Sequence, residues 1–273
     1  MKRENLIIVR AGDDSCHPQW TGGCERSFDL LASYFGKQPD CFRSEADHYH
    51  AMVGPRWPAH HDICQNQWDL IRQYEFVAFV CDDIEATAAD WDALFATCRD
   101  YRLDLAQPAI EGHANYEITM PRDDCLLRIT NFVEVMCPIF HRPMLDELRW
   151  TFGESTSGWG LNWLWAHALR RSKHRMAVID SIPVRHGRPT GDGTLYSLLK
   201  SQGIDPSGES KAILSKHGVK KIVPRELERV LKSRIPAPKK LLPRLLRDSM
   251  RALRWRFGLG RKPFARSPNG VDS

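Results

Sequence analysis

Apolar and polar positions alternate along this chain in blocks that read as strands and helices in turn. Leu6 to Val9 is a short apolar run that ends in the polar loop Arg10 to Ser15. Ser27 to Phe35 fits either a strand or a short helix. Pro58 to Tyr74 predicts a helix with Ile63, Trp68 and Ile71 on one face. Phe76 to Cys81 (FVAFVC) predicts a fully buried strand, and it stops abruptly at Asp82-Asp83. Ala86 to Tyr101 places Trp91, Leu94, Phe95 and Cys98 at helical spacing. Leu105 to Ile110 predicts a strand, and Thr130 to Phe140 a longer one interrupted by Glu134. Pro143 to Phe152 predicts a helix with proline in its first turn. A further helix over Leu161 to Arg171 and a strand over Met176 to Val184, closing on Arg185-His186-Gly187, complete the series.

Strands alternating with helices imply βαβ units around a mostly parallel, buried central sheet, an α/β fold of Rossmann-like kind. Ligands of such sheets bind beyond the carboxyl ends of the strands. The polar residues that stand out fall there: Asp13 and Asp14 after the first strand, Asp82 and Asp83 after the buried one, His186 after the last. Two adjacent carboxylates have two readings. They cap the helix beginning near Thr87, or they hold a hard divalent cation. Mg²⁺ or Mn²⁺ is commonly held by one or two carboxylates with substrate phosphates completing the shell.

Beyond residue 190 the pattern changes. A loop-rich stretch surrounds a short helix at 194–201, a second helix is expected at 224–234, and LLPRLLRDSMRALRWRF (241–257) has apolar residues along one side at helical spacing. The division is therefore 1–190 as the ligand-binding domain and 191–273 as a basic helical extension. Charge follows the same division. From residue 211 onward 18 Lys and Arg face four acids, while the first 210 residues carry 21 basic against 30 acidic residues. An acidic body bears a basic tail.

Composition narrows the class. The chain has 273 residues, 42% of them hydrophobic and 27% charged, as soluble globular proteins do. The apolar part of the N-terminus is too short for a signal-peptide core and no stretch reaches membrane-span length, so a cytoplasmic protein is expected. The eight cysteines are scattered without a CxxC pair and read as free thiols. His60 and Cys64 could share a helix face near His48, His50 and His61, which leaves a zinc site as a competing reading.

In combination, CDDI (81–84), FVEVMCPIF (132–140), GWGLNWLW (158–165) and VIDSIPVRHGRP (178–189) resemble a plant and bacterial family. It is the one catalogued as domain of unknown function seven hundred and seven. Its members read close to DDDI, VEIMAPVF, WGLD and VVDS with a following His, over what is here residues 5 to 190. That family is grouped with glycosyltransferases of the GT-A fold. The resemblance implies one nucleotide-sugar-binding α/β domain that uses Mn²⁺ or Mg²⁺. It assigns the metal to Asp83, Asp82 and His186, and the nucleotide side to Arg10, Gly12, Asp13, Asp14 and Asp82. The donor sugar or acceptor falls to Trp159, Gly160 and Asn162, and catalytic carboxylates to Glu134 and Asp180.

Two departures bear on that inference. Cys81 stands where the family shows the first of three aspartates, which shifts the metal towards Asp83. Asn162 stands in place of the WGLD aspartate, and an amide cannot act as a general base. Then Glu134, Asp180 or Glu154 takes that role, or the mechanism is retaining and needs no such base, or activity is reduced.

The tail fits an intramolecular lid, an amphipathic helix on an anionic membrane surface with Trp255 and Phe257 as anchors, or, with no accompanying motif, nucleic acid. The expectation is a cytoplasmic, peripherally membrane-associated glycosyltransferase that moves a sugar from a nucleotide diphosphate to a glycan or lipid-linked acceptor, in surface polysaccharide or glycolipid assembly. A non-catalytic nucleotide- or sugar-binding protein of the same fold is the rival, and a metal-dependent phosphohydrolase a weaker one.

Overall fold

β1 (Asn5–Ala11) is buried along its whole length, as a strand must be when parallel neighbours flank it and both sheet faces are covered. It opens a computed structural model that describes residues 3–22, 25–170, 173–189 and 194–232. β2 (Phe28–Tyr34), β3 (His48–Ala51), α1 (Arg56–Asn66) and α2 (Trp68–Ile71) follow, then β4 (Phe76–Cys81), the two-residue β5 (Ile84–Glu85) and α3 (Ala88–Asp100). Next come β6 (Leu105–Gly112), β7 (Cys125–Thr130), β8 (Ile139–His141), α4 (Arg142–Leu148) and α5 (Leu161–Leu169). β9 (Met176–His186), α6 (Thr194–Ser201), α7 (Pro206–Lys216) and β10 (Glu226–Leu231) complete the described elements.

The strands form one sheet in the order β10-β7-β9-β6-β8-β4-β1-β2-β3, with β5 pairing off this path to β9. Two parallel blocks, β4-β1-β2-β3 and β6-β9, hold most of the ladder. The short β8 lies antiparallel to both β4 and β6 and joins the blocks. Successive side chains of a strand point to opposite faces. Leu6, Ile8, Val77 and Phe79 therefore pack with Trp57, Phe140, Phe152 and Trp165 in one layer. Ile7, Val9, Phe76, Ala78 and Val80 pack with Trp91, Leu94 and Phe95 of α3 in the other. This is why five consecutive residues, 76–80, are all apolar. The architecture is a mixed, mostly parallel sheet flanked by helices, as the alternation implies.

Several local expectations need correction. Ser27 to Phe35 resolves into a strand. The helix expected over 58–74 divides at Gln67, whose backbone leaves the helical region (φ −122°, ψ 26°). Thr130 to Phe140 is not one strand. The chain turns at Thr130, whose hydroxyl donates to Phe132 O (2.7 Å), and crosses from β7 to the middle of the sheet before β8 begins. The 224–234 helix is instead β10, because the open edge of β7 supplies an antiparallel ladder that overrides the helical tendency of ELERVL.

Pro206 and Gly208 open α7 within the stretch expected to be loop-rich. Pro206 fits a first turn, and the Asp205 carboxylate accepts from Ser207 N (3.0 Å) and Gly208 N (2.9 Å). The compact unit takes in the described residues up to Lys232, so α7 and β10 belong with the sheet. The amphipathic segment 241–257 lies outside the described residues. No described helix is long and apolar enough to cross a membrane.

Candidate functional site

The carboxyl ends of β1, β4 and β9 converge on a cleft of about 530 Å³. Its lining includes Arg10, Gly12, Asp13, Asp14, Asp82, Asp83, Glu134, Trp159, Asn162 and His186 among the sequence candidates. Gly160 lies just behind the lining. It begins α5 with a positive φ of +105°, a conformation that favours glycine.

Asp82 and Asp83 do not cap α3. Thr87 does so itself: Asp90 N donates to its hydroxyl (3.2 Å), and the Asp90 carboxylate accepts from Thr87 N (2.8 Å), a reciprocal box. The two aspartates have separate partners in the cleft. Asp82 accepts from Gly12 N (2.9 Å) and pairs with Arg188 (3.5 Å). A Cβ on residue 12 would lie 3.0 Å from Phe35 Cζ and 3.2 Å from Asp82 Oδ2, so a small residue allows that approach. Burial pushes the Asp82 carboxyl up, against the lowering effect of the Gly12 amide and Arg188.

Asp83 meets His186. Its Oδ2 lies 3.0 Å from His186 Nε2, and His186 Nδ1 lies 3.0 Å from the backbone oxygen of His113. With an acceptor at each ring nitrogen, this pair is matched by an imidazolium. Burial opposes charge on both groups. The mutual hydrogen bond outweighs it, holding Asp83 below the usual carboxylate range and His186 above the usual imidazole value. The His113 carbonyl keeps the Nδ1 proton, which leaves the Nε2 lone pair available for a cation in place of the second proton, the tautomer a metal ligand needs. No three described His, Cys, Asp or Glu side chains form a complete metal cage. The donor set fits a hard cation whose shell is completed by water and phosphate.

Other candidates hold the walls. Arg10 does not reach into the cleft with a free charge. Its guanidinium donates to Ser33 O (3.1 Å), Ser33 Oγ (3.0 Å) and Gly54 O (2.7 Å) and lies 4.8 Å from the Phe35 ring, and burial lowers its pKa to about 10. Asp13 accepts from the Tyr34 hydroxyl, and Asp14 accepts through its backbone oxygen from Arg188 (2.8 Å).

Glu134 is almost wholly buried. Its amide donates to Gln107 (2.6 Å), Asn115 donates to one carboxylate oxygen, and the other oxygen, Oε2, has no partner. Burial pushes its carboxyl above the usual value, although Asn115, His186 and Arg56 act the other way. Asn162 donates to the Tyr116 hydroxyl (3.3 Å), and Trp159 remains 42% exposed at the cleft.

Three sequence readings meet other surroundings. Asp180 lies away from the cleft: both of its oxygens bond the buried Arg128 (2.8 and 2.9 Å) and Arg122 N adds a third bond (2.9 Å). Glu154 is paired with Lys216 (2.6 Å) and His217 (2.9 Å), also outside the cleft lining. His60 sits fully buried between the Trp57 and Phe79 rings and Cys64 is likewise buried, which makes them core residues rather than zinc ligands.

Sequence reasoning passed over Arg188, Arg56, Asn115 and Tyr116, all of which line the cleft. Arg188 stands two residues past His186 in a motif already singled out. Asn115 and Tyr116 follow β6, where the carboxyl-end rule could have found them. Arg56 explains Cys81: it donates to the cysteine sulfur and to Val135 O (2.5 Å), tying β4 to the 133–137 loop.

No family model matches this chain, and no curated protein sequence does. Solved structures match in shape. GalNAc-T7 with UDP, GalNAc and Mn²⁺ aligns at a TM-score of 0.50 and 9% identity over 80% of this chain and 55% of that one. S. aureus TarS 1–349 aligns at 0.50 and 11% over 78% and 71%. The fold is GT-A-like, a mixed, mostly parallel sheet flanked by helices. At such identity the likeness concerns the fold alone, and the chain spans about half the length of GalNAc-T7. The resemblance to the uncharacterised plant and bacterial family rests on its motifs.

Proposed function

We propose that this chain is a metal-dependent glycosyltransferase that moves a sugar from a nucleotide diphosphate to an acceptor hydroxyl. The observation that carries the reading is the Asp83–His186 pair, with its tautomer set by His113, beside Asp82 at the strand ends of a GT-A fold. Mn²⁺ within a similar fold, in GalNAc-T7 with UDP and GalNAc, supports the choice of cation and donor class.

In this reading Asp83 and His186 would hold Mn²⁺ or Mg²⁺, with Asp82, fixed by the Gly12 amide, as the neighbouring carboxylate. Such a cation, when bound, would offset charge on the departing diphosphate. Asp13 and Asp14 border the nucleotide, with Arg10 shaping that wall through its backbone contacts. Trp159 offers an exposed aromatic face to a sugar ring, with Gly160 setting the turn behind it and Asn162 beside it. Glu134 takes the proton of the acceptor hydroxyl, since Asn162 cannot. Asp180 is left out of this assignment because Arg128 occupies it. Extension of a glycan or lipid-linked acceptor at an anionic membrane surface, as in surface polysaccharide or glycolipid assembly, would use the basic tail.

Two outcomes test the reading. UDP and other nucleotide diphosphates should raise the melting temperature of the full chain only when Mn²⁺ is present, by about 2.7 kcal/mol of added stability at roughly a hundred times Kd. Absence of any metal-dependent shift across the set would overturn the metal and donor assignment.

Glu134→Gln should lower transfer by about 10²–10⁴-fold, the scale of a lost general base. A base acts when ionised, so the wild-type rate should rise with pH through a pKa above the usual glutamate value, and the variant should lack that limb. Stability runs the opposite way. A buried carboxyl with raised pKa favours the folded state when protonated and loses that contribution as pH rises through the folded value. Glu134→Gln should therefore melt no lower than wild type at neutral pH; a lower melting temperature would make Glu134 a structural residue.

A binding protein of the same fold is the second reading, favoured by the Asn162–Tyr116 bond where a base carboxylate would be expected. Metal-dependent nucleotide binding with neither transfer nor donor hydrolysis would establish it.

A further inference from the structure

The loop 155–160 carries Trp159 to the cleft and starts α5, which bears Asn162, yet its own residues are short and polar. What fixes it comes from outside. Glu209, in the first turn of α7, accepts from Ser155 Oγ (2.9 Å), Thr156 N (2.6 Å), Ser157 N (2.9 Å) and the Ser157 hydroxyl. Each of these serines passes the constraint on. Gly158 N donates to Ser155 Oγ (2.8 Å), and Trp159 N donates to Ser157 Oγ (3.1 Å). Gly160 lies close to α7, where an added Cβ would come into ordinary van der Waals contact with Ser210 (3.4 Å from its Oγ and 3.5 Å from its Cα). At its far end α7 is pinned through Lys216 (2.6 Å) and His217 (2.9 Å) to Glu154, just before the loop.

We propose that Glu209 is a positioning residue for the sugar-binding wall: its carboxylate sets the conformation of loop 155–160 and so the placement of Trp159 against an acceptor or donor sugar. The role of the wall rests on the glycosyltransferase reading; the control of the loop by Glu209 does not. A carboxylate is suited to the task because both oxygens only accept, and four donors from three successive residues converge on them. Burial raises the Glu209 carboxyl, but those bonds outweigh it and hold it below the usual range.

Glutamine has the same size but offers an NH₂ where one oxygen must accept, setting donor against donor. Glu209→Gln is therefore the informative variant, in the full chain labelled with 5-fluorotryptophan. The Trp159 resonance is assigned by its disappearance in Trp159→Phe. Wild type should give one Trp159 line. Glu209→Gln should shift or broaden it while the lines of Trp20 and Trp91, buried on the opposite face of the sheet, stay in place. UDP with Mn²⁺ should still raise the melting temperature of the variant as it does wild type, since Asp83 and His186 are untouched. An unchanged Trp159 line, or loss of the Trp20 and Trp91 lines along with it, would overturn the proposal. A wild-type chain that ignores UDP and Mn²⁺ would remove the glycosyltransferase reading and leave the fluorine result to judge Glu209 on its own.

Discussion

Asp83→Asn should abolish the Mn²⁺-dependent stabilisation by UDP and lower transfer by about 10²–10³-fold, the scale of losing one preorganised electrostatic contact. The physical reason lies in the partner. His186 donates a hydrogen bond from Nδ1 to the His113 carbonyl and meets Asp83 with Nε2. Asparagine keeps the shape of that contact but removes the anion, so neither the imidazolium nor a divalent cation has a counter-charge there. Asp82, 3.5 Å from Arg188, already spends its charge on another cation and cannot substitute. The apo variant should lose some stability as His186 gives up its charge but still unfold cooperatively, and a cooperative transition that ignores UDP and Mn²⁺ separates a lost ligand from a lost fold. A UDP and Mn²⁺ shift of wild-type size in Asp83→Asn would remove Asp83 from the metal site.

Asp180→Ala should produce the largest loss of stability, about 3–5 kcal/mol, from stranding a buried charge. Arg128 and Asp180 are both fully buried, and Asp180 supplies two of the three bonds that the Arg128 guanidinium makes. Without the carboxylate, Arg128 would stay charged in a low-dielectric site with only Met120 O as partner. The melting temperature should fall by roughly 10 °C, while any surviving folded fraction keeps its UDP and Mn²⁺ response. Loss of that response at unchanged melting temperature would return Asp180 to the catalytic set.

The contrast between these carboxylates marks what sequence can tell. β4 and the pair after it were legible because five apolar residues in a row require two covered faces, and carboxylates at such an exit require partners. Which partners they find depends on strands far away in sequence. Asp180 and His186 share β9, yet one faces Arg128 of β7 and the other the cleft, and a register irregularity in the pairing of β9 with β6, between Ile179 and Val184, lies between them. Residues 224–234 are expected as a helix and form β10 instead, and nothing local announces the open edge of β7. A proline opens helices and ends them alike, and at Pro206 the preceding Asp205 is what distinguishes the two. Of the site's polar wall, Glu134, Trp159 and Asn162 are legible only through motif resemblance, since they have no common spacing, while Asn115 and Tyr116 lie outside those motifs and follow the end of β6.

β8 has a consequence for the order of assembly. Three residues long, it is the link between β4 and β6, and it is made after both. A chain emerging in sequence order therefore completes β1 to β4 as one parallel block before anything can join it to the rest. The carboxylates at 82 and 83 are present from that first stage, but the imidazole that answers them arrives with β9, about a hundred residues later. Non-local pairings of this kind are made late in folding because loop closure must come first. In the proposed reading, competence to hold a cation would therefore wait for β9, so that metal binding would report a sheet whose centre is closed.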